Sequence, residues 1–380
     1  MRNIIYVGVN DHVTDLFEGQ YVIPNGVAYN SYIIIDEKTV IVDSVDARFG
    51  EEWLSNIDKA LGGGEPDYLL VQHMEPDHSG SIMMFLEKYP NASVISSAKA
   101  FTMMENFYSA VAPERQIVVA DGKTFSIGSG ELVFVGAPMV HWPEVIMTWY
   151  EKEKILFTAD AFGKFGALDV CEEWIDEARR YYIGIVGKYG AQVQSVLKKV
   201  AALPVETICP LHGPVLENDL GYYLEKYDKW SSYSPEADGV CIAYSSVYGN
   251  TAQAAKILYD ELISRDVSTQ IFDLNRCDSY EALASAFKYS KLVLASVTYN
   301  AELYPSMRKF ISLLVERGYK NRKLALIENG SWAPMAAKNM TKMLEGLKGI
   351  EYVGEPVKLL SGVKESTVEQ LKNLALLLAE

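Results

Sequence analysis

The sequence is short of basic residues, of cysteine and of histidine. Its 380 residues include 35 basic and 50 acidic side chains, which give a formal net charge of -15. This balance argues against a nucleic-acid partner, because binding phosphates requires a basic face. The four cysteines are far apart and form no CxxC pair. Their spacing excludes a disulfide-dense secreted fold, a zinc ribbon and a fused iron–thiolate module.

Several sequence signals are also missing. No run of residues approaches the roughly 18 apolar positions that a membrane span needs, and no export signal opens the chain. We therefore expect a cytoplasmic protein without a membrane partner. Neither GxGxxG nor GxxxxGK[ST] occurs, so the sequence contains no dinucleotide fingerprint and no Walker loop.

The apolar pattern divides the chain into two parts, as its length suggests. Up to about residue 145, short β-rich runs such as NSYIIID, TVIVDSV and ELVFVGA alternate with turn residues, which favours antiparallel pairing. Helical stretches lie between these runs, a longer one covers about 173–201, and TICPLHG returns to a strand. The first part is predicted to be a β-sandwich covered by helices.

From about residue 238, predicted strands and helices alternate strictly. The strands are GVCIAYSS, STQIFDL, KLVLASVTYN and KLALIEN, and a helical pattern follows each of them. Apolar strands separated by helices specify a parallel doubly wound sheet, and five βα units would match a flavodoxin-sized domain. The segment 231–239 is the predicted joint, so we expect domains at residues 1–236 and 237–380.

A dense group of potential metal ligands follows the run DYLLVQH. His73, Glu75, Asp77 and His78 fall within six positions, and a helix is predicted to begin near Ser79. In an extended segment, alternate residues point to one side, so His73, Glu75 and Asp77 should converge. Two histidines and two carboxylates packed after an apolar strand would be costly to bury without a cation. This cluster therefore predicts a metal site.

Three further candidates follow other predicted strands in the first domain, namely His141, Asp160 and His212. Taken singly, each has a structural alternative: a histidine after a strand is usually part of the core or surface, and Asp160 could cap a helix. Together with the first cluster, they place four of the five histidines at strand ends. His12 is interpreted as a loop residue.

Three loops in the second part favour a different ligand. The first opens a helix with hydroxyls, a glycine and free backbone N–H groups, which suits an anion. All three are expected at the carboxyl edge of the parallel sheet, where ligands bind. Tyr299 and Trp332 could offer flat surfaces to a ring, or could simply pack the sheet edge. The loops are Ser246-Val247-Tyr248-Gly249-Asn250-Thr251, Ser296-Val297-Thr298-Tyr299-Asn300-Ala301 and Asn329-Gly330-Ser331-Trp332-Ala333.

In this order, the motifs resemble those of the flavodiiron proteins, which join a metallo-β-lactamase-like αββα sandwich to a flavodoxin-like doubly wound sheet. The superfamily signature is H-x-H-x-D-H, and Glu75 stands at its second histidine. A third carboxylate favours iron or manganese over zinc. The resemblance implies an oxo- or hydroxo-bridged non-haem di-iron site. In it, His73, Glu75 and His141 hold one iron, Asp77, His78 and His212 hold the other, and Asp160 bridges.

The resemblance also implies FMN, with its phosphate on the first loop and its ring between the other two. The third loop reads GSWAP and departs from the commoner family pattern. The implied reaction is reduction of O2 to water, of NO to N2O, or both. A rubredoxin or similar small redox protein would supply electrons, and a head-to-tail homodimer, which can pair into a dimer of dimers, would bring one subunit's FMN to the other's irons.

Two other functions remain open at this stage. One is a dizinc hydrolase that carries a flavodoxin domain, and Glu75 in the ligand set counts against it. The other is a plain FMN electron carrier, and the complete ligand set counts against that. The choice between O2 and NO depends on contacts around the metals, which the sequence leaves open.

Overall fold

The computed structural model describes residues 3–380. The chain divides into two compact units, of which the first ends at Asp228 and the second runs from Lys229 to Glu380. The boundary predicted after residue 236 stays a prediction; it coincides with the start of a strand at Ala237. Within residues 3–380, no helix is both long enough and apolar enough to cross a membrane.

The first unit is built mainly from short strands. They are β1 (Ile4–Tyr6), β2 (Val9–Asp11), β3 (Leu16–Phe17), β4 (Tyr21–Val22), β5 (Val27–Tyr29), β6 (Tyr32–Ile35), β7 (Thr39–Val42), β8 (Tyr68–Leu70), β9 (Ser93–Ser97), β10 (Gln116–Val119), β11 (Thr124–Ser126), β12 (Glu131–Gly136), β13 (Ile146–Tyr150), β14 (Ile155–Phe157) and β15 (Thr207–Cys209). Its α-helices are α1 (Gly50–Leu61), α2 (Pro76–Ser79), α3 (Ile82–Lys88), α4 (Ala98–Phe107), α5 (Trp174–Tyr181) and α6 (Gly190–Val200). Helix α7 (Leu220–Ser232) spans the division between the units.

Two sheets form the sandwich that the sequence predicts. One has the order β1-β6-β7-β8-β9-β10 and the other β11-β12-β13-β14-β15. Their facing side chains share one core, in which Val42 and Leu70 of the first sheet lie with Phe134 and Phe157 of the second. Because β-branched and aromatic residues pack well on a pleated surface, runs such as TVIV in β7 become strands.

The long helical segment predicted at about 173–201 is confirmed, but it is not a uniform α-helix. A π-helical turn at Tyr182–Val186 and a 3-10 turn at Gly187–Tyr189 separate α5 from α6. Single π-helical turns are frequent at functional sites. Tyr181, just before the π turn, is fully buried, and its ring centroid lies 5.4 Å from that of His212.

The second unit is a doubly wound sheet. Its strands are β16 (Ala237–Ser245), β17 (Thr269–Asp273), β18 (Tyr289–Tyr299), β19 (Glu302–Leu303), β20 (Arg322–Asn329), β21 (Ile350–Tyr352) and β22 (Val357–Leu359). Its helices are α8 (Asn250–Ile263), α9 (Ser279–Lys288), α10 (Pro305–Glu316), α11 (Ala336–Leu344) and α12 (Glu365–Ala379).

The main strands of this sheet are parallel in the order β17-β16-β18-β20-β21, so the order reverses direction between β16 and β18. Apolar residues of α8 and α12 pack with the sheet in a single core. The fifth strand position is divided: β21 pairs with Arg322–Leu324 and β22 with Ile327–Asn329 of β20. The sequence pattern predicted only four strands. Each half of the fifth has three residues, which is too short to give a recognisable strand pattern.

Candidate metal centre and cofactor pocket

All seven predicted metal ligands meet at one end of the sandwich. His73 follows β8, His141 lies between β12 and β13, Asp160 follows β14 and His212 follows β15. The ligand atoms form two groups, in each of which they lie within 4.8 Å of one another. The first group is His73, Glu75, His141 and Asp160, and the second is Asp77, His78 and His212. His12 lies apart, with its Nε2 3.0 Å from the carboxylate of Asp169.

The local geometry of the first cluster differs from the sequence prediction. His73, Glu75 and Asp77 do not lie along one face of an extended segment, because helix α2 begins at Pro76 rather than near Ser79. Proline at the first helical position favours a helix start. The resulting turn directs Asp77 away from His73 and Glu75 and towards His78 and the second group.

The first group converges on one point through short contacts. His141 Nε2 lies 3.1 Å from Glu75 Oε2 and 3.0 Å from Asp160 Oδ2. His73 Nε2 lies 3.4 Å from the same Glu75 oxygen and 3.5 Å from the same Asp160 oxygen. Two imidazole nitrogens therefore share two carboxylate oxygens.

The second group meets the other oxygen of Asp160. His78 Nε2 lies 3.2 Å from Asp160 Oδ1 and 3.3 Å from Asp77 Oδ2. His212 Nε2 lies 3.3 Å from Asp77 Oδ2 and 2.9 Å from His78 Nε2. Asp160 thus faces the first group with Oδ2 and the second with Oδ1, which is the arrangement that a bridging carboxylate requires.

The hydrogen bonds behind two of the rings fix which nitrogen faces the centre. His212 Nδ1 lies 2.7 Å from the carbonyl oxygen of Ala28, which can only accept, so Nδ1 carries the proton. His73 Nδ1 likewise donates to the Glu144 carboxylate at 2.9 Å. In the neutral rings, Nε2 of both histidines then presents a lone pair to the centre, as metal coordination requires.

Several buried oxygens lack a proton donor. Within residues 3–380, both carboxylate oxygens of Asp77 and Oδ1 of Asp160 are buried without a hydrogen bond. An unpaired buried carboxylate is costly, whereas a cation between the two groups would satisfy all three oxygens. The donor set, four imidazoles and three carboxylates, therefore fits a pair of divalent metal ions.

The charged groups of the cluster shift the pKa values of its members. Burial alone would lower the pKa of His141, but its hydrogen bonds to Asp160 and Glu75 raise it to about 9. Burial also opposes ionisation of Asp160, yet the charges of His73 and His78 hold the pKa of Asp160 well below its usual range. The cluster thus stabilises positive charge at its centre, whether carried by protons or by metal ions.

In the second unit, the three predicted loops line one cavity of about 520 Å³. That volume is within the range typical of small-molecule sites, roughly 300–1,000 Å³. Fifteen of the 17 predicted residues line it; Gly249 and Ser296 do not, and Ser361 is an additional lining residue. The cavity lies at the carboxyl ends of β16, β18 and β20, beside the point where the strand order reverses.

The loops of this cavity present backbone donors and aromatic rings. Helix α8 begins after Gly249, whose φ of 91° suits glycine, and no side chain caps its first turn. Its initial N–H groups can therefore receive a phosphate. Tyr248 and Trp332 are 92% and 91% exposed, which leaves large apolar surfaces free to cover a planar ring.

Comparisons with known proteins identify the family. Residues 27–213 match the ODP family beta lactamase. The anaerobic nitric oxide reductase flavorubredoxin of Vibrio vulnificus is 30% identical over 345 residues, which are 87% of this chain and 69% of that protein. The chain belongs to the flavodiiron protein family.

Two solved structures share the fold of this flavodiiron chain. The rubredoxin oxygen:oxidoreductase from the anaerobe Desulfovibrio gigas has a TM-score of 0.91 at 25% identity, covering 99% of this chain and 96% of its own. The flavodiiron protein from Giardia intestinalis has a TM-score of 0.90 at 25% identity, covering 99% and 94%. The predicted combination of an αββα sandwich with a flavodoxin-like sheet is confirmed.

Membership of the family makes this chain an oxidoreductase and favours that function over a dizinc hydrolase or a plain electron carrier.

The structure adds two residues that sequence analysis did not assign. Glu144 lies directly behind His73, and Ser361 donates from its backbone N–H to Asn329 Oδ1 at the cavity. Glu144 is the last residue of the stretch HWPE, which begins at His141 and is the one sequence signal that could have indicated Glu144.

Proposed function

We propose that this flavodiiron protein reduces O2 to water, NO to N2O, or both at a non-haem di-iron site, with electrons passing through FMN from a rubredoxin-type donor. The observation that carries the proposal is Asp160, which presents one carboxylate oxygen to each of two ligand groups. The names of the similar proteins supply the substrates: nitric oxide for the Vibrio vulnificus protein and oxygen for the Desulfovibrio gigas protein.

The proposed metal roles follow the two groups. His73, Glu75 and His141 would hold one iron, Asp77, His78 and His212 would hold the other, and Asp160, which faces both groups, would be shared between them. Three carboxylates against two ferrous ions would leave a net charge of +1, which one hydroxide ion would offset. Hard anionic oxygen ligands support iron over zinc.

The proposed FMN site is the cavity of the second unit. The start of helix α8 and the loop before it would bind the phosphate, because no side chain caps the first N–H groups of this helix, which leaves them available to an anion. Tyr248, Tyr299 and Trp332 would cover the ring. Thr298 supports this arrangement: its Oγ1 accepts hydrogen bonds from the N–H groups of Met335 and Ala336 at 2.9 and 3.2 Å, which fixes the third loop.

The reaction has simple stoichiometry. O2 takes up four electrons and four protons to give two waters, and two NO take up two electrons and two protons to give N2O and one water. When bound, the FMN and the two irons supply the electron transfer and the binding of the gas. The protein side chains hold the metals in a largely buried site, where His73, His78 and His212 have no solvent exposure. Glu75 and Asp77 alone of the ligands line an open cavity of about 500 Å³, through which a gas can reach them.

We propose that the protein forms a head-to-tail homodimer, in which the FMN of one subunit passes electrons to the irons of the other. Mixing two inactive variants tests this arrangement. Asp160→Ala removes the bridging carboxylate, and Ser246→Glu places a negative charge in the phosphate loop. If FMN serves the partner's irons, each mixed dimer restores one complete centre, and exchange of subunits should recover about a quarter of the native activity. If the mixture stays inactive although mixed dimers form, the head-to-tail arrangement is wrong.

The activity itself is tested with iron-loaded, FMN-loaded protein. The protein is reduced anaerobically with an artificial donor, and consumption of O2 and of NO is followed in parallel, with and without rubredoxin. Metal and flavin analysis of the same sample separates the alternatives, since a hydrolase would retain two zincs and a simple carrier FMN alone. Absence of turnover with both gases, in protein shown to contain two irons and FMN, would refute the proposed function.

A further inference from the structure

The two metal positions differ in what supports their histidines. Glu144 is 2% exposed, and its Oε1 accepts hydrogen bonds from His73 Nδ1 and from the backbone N–H of Met74, both at 2.9 Å. His73 is therefore supported by an anionic group. In the second group, His212 Nδ1 donates only to the neutral carbonyl oxygen of Ala28.

The third buried ring has weaker support still. Within residues 3–380, His78 Nδ1 is buried without a hydrogen-bond partner. A histidine that donates to a carboxylate is a stronger electron donor to a metal than one that donates to a carbonyl oxygen, and it is held in one orientation. The first position therefore has a histidine supported by a carboxylate, whereas no described residue supports His78 or His212 with one.

Glu144 is itself held firmly. Its carbonyl oxygen accepts a hydrogen bond from Ser97 Oγ at 3.0 Å, and the N–H of Ile146 donates to the carbonyl oxygen of Gln72 at 3.1 Å. The second of these bonds joins the first residue of β13, directly after the 137–145 loop, to Gln72, the residue before His73. Because His141 belongs to the same loop, one segment both supplies a ligand and orients another ligand of the same metal.

We infer that Glu144 is a positioning residue that makes the His73–Glu75–His141 position the tighter of the two metal positions, so that it fills first. The inference rests on the proposed di-iron site and deepens it. Glu144 acts through His73 and does not touch the metal. Neutralising Glu144 should weaken one of the two metal affinities by about 10–100-fold and leave the other within about twofold.

The test is a metal titration of the full-length protein. Metal-free native protein and the variants E144Q and E144D are titrated anaerobically with Fe²⁺ against a competing chelator, and then with Co²⁺, whose visible absorption reports coordination. E144Q keeps an acceptor for His73 Nδ1 but removes the charge, whereas E144D keeps the charge and should recover part of the affinity. Asp121→Asn is the matched control, because Asp121 accepts from Gly136 N–H but has no contact with a ligand histidine.

A double-mutant cycle separates positioning from a general loss of structure. In an H212N background, which leaves the first position intact, E144Q should retain its full effect on the remaining ion. In an H73N background, E144Q should have no further effect, because the residue through which it acts is gone. Additive effects in both backgrounds, or an E144Q protein with two native affinities, would overturn the inference.

The outcomes also distinguish this inference from the proposed function. If native protein fails to bind two ions, the di-iron proposal itself is wrong. If native protein binds two ions and E144Q does the same with unchanged affinities, only the role of Glu144 is refuted. Far-ultraviolet circular dichroism and thermal unfolding of each variant show that the altered affinities are measured on folded protein.

Discussion

The candidate metal centre of the first unit consists of buried charged side chains, whereas the candidate cofactor cavity of the second consists of exposed loops at a sheet edge. His73 and His212 have no exposed surface, while Tyr248 and Trp332 are more than nine-tenths exposed. The two units also differ in net charge, because the acidic surplus of the chain lies in the first. Residues 1–228 contain 33 acidic and 17 basic side chains, and residues 229–380 contain 17 and 18.

This difference indicates how each site is specified. The first depends on the identity of individual side chains, since each buried carboxylate or imidazole balances the others. The second depends more on backbone conformation, through the uncapped start of helix α8 and the glycine that precedes it. A single substitution at any of the seven residues should therefore weaken metal binding. In the cavity, a substitution should weaken FMN binding chiefly when it blocks the space or adds a charge.

The largest effect is expected from Asp160→Ala. Loss of the carboxylate shared by both groups should reduce iron content and lower turnover more than about 100-fold, beyond what loss of a supporting residue costs. FMN content should be unchanged. Iron and flavin analysis with parallel gas-consumption assays measures this, and Asp169→Ala, which removes an exposed aspartate of the same unit, is the control. Two retained irons with full activity would contradict the bridging role.

Ser246→Glu should give the converse result. The new carboxylate repels a phosphate at the start of α8 and should weaken FMN binding by about 100-fold, while both metals stay bound. Flavin fluorescence titration of the FMN-free protein measures this affinity. Ser264→Glu, at the far end of the same helix, should bind FMN normally; equal loss in both variants would remove the phosphate assignment.

Removing the metals should destabilise the units unequally. Both oxygens of Asp77 and Oδ1 of Asp160 are buried without a hydrogen bond within residues 3–380, so removal of a bound cation by chelation should lower the unfolding temperature of the first unit by about 10 °C. The unfolding of the second unit should respond instead to removal of FMN. Differential scanning calorimetry of four samples, with each cofactor present or absent, measures both effects. Equal shifts of the two units upon chelation would contradict the independence of the sites.

The smallest effect is expected from Trp332→Ala. An exposed ring that covers a flavin contributes modestly, so FMN affinity should fall by about fivefold to tenfold without loss of binding. Tyr352→Ala, at an exposed aromatic residue outside the cavity, should leave the affinity unchanged. If Trp332→Ala binds FMN as tightly as native protein, the ring contact proposed for the third loop is absent.

The sequence predicted which polar side chains come together where these residues follow the ends of strands. His73, His141, Asp160 and His212 each follow an apolar strand, and strands that neighbour one another in a sheet bring their ends together. The loops of the second unit were predictable for the same reason. Both sites lie where a regular scaffold ends and side chains or N–H groups become available.

Other features depend on contacts between distant residues. Glu144 is 71 positions from His73, and only the folded chain brings the carboxylate behind the ring. Ser361 joins the cavity through Asn329, 32 positions away. The direction of Asp77 was predicted wrongly because the segment was expected to stay extended through Asp77, whereas α2 begins at Pro76, and proline suits the first residue of a helix.

The divided fifth strand of the second unit also affects how the protein behaves at high concentration. A long edge strand offers a row of unpaired N–H and carbonyl groups on which a second chain can add. Here β21 ends at Tyr352, β22 begins at Val357, and Gly354 and Pro356 lie between them. The outer edge therefore presents two segments of three residues each instead of one continuous strand. The break limits edge-to-edge aggregation of the sheet.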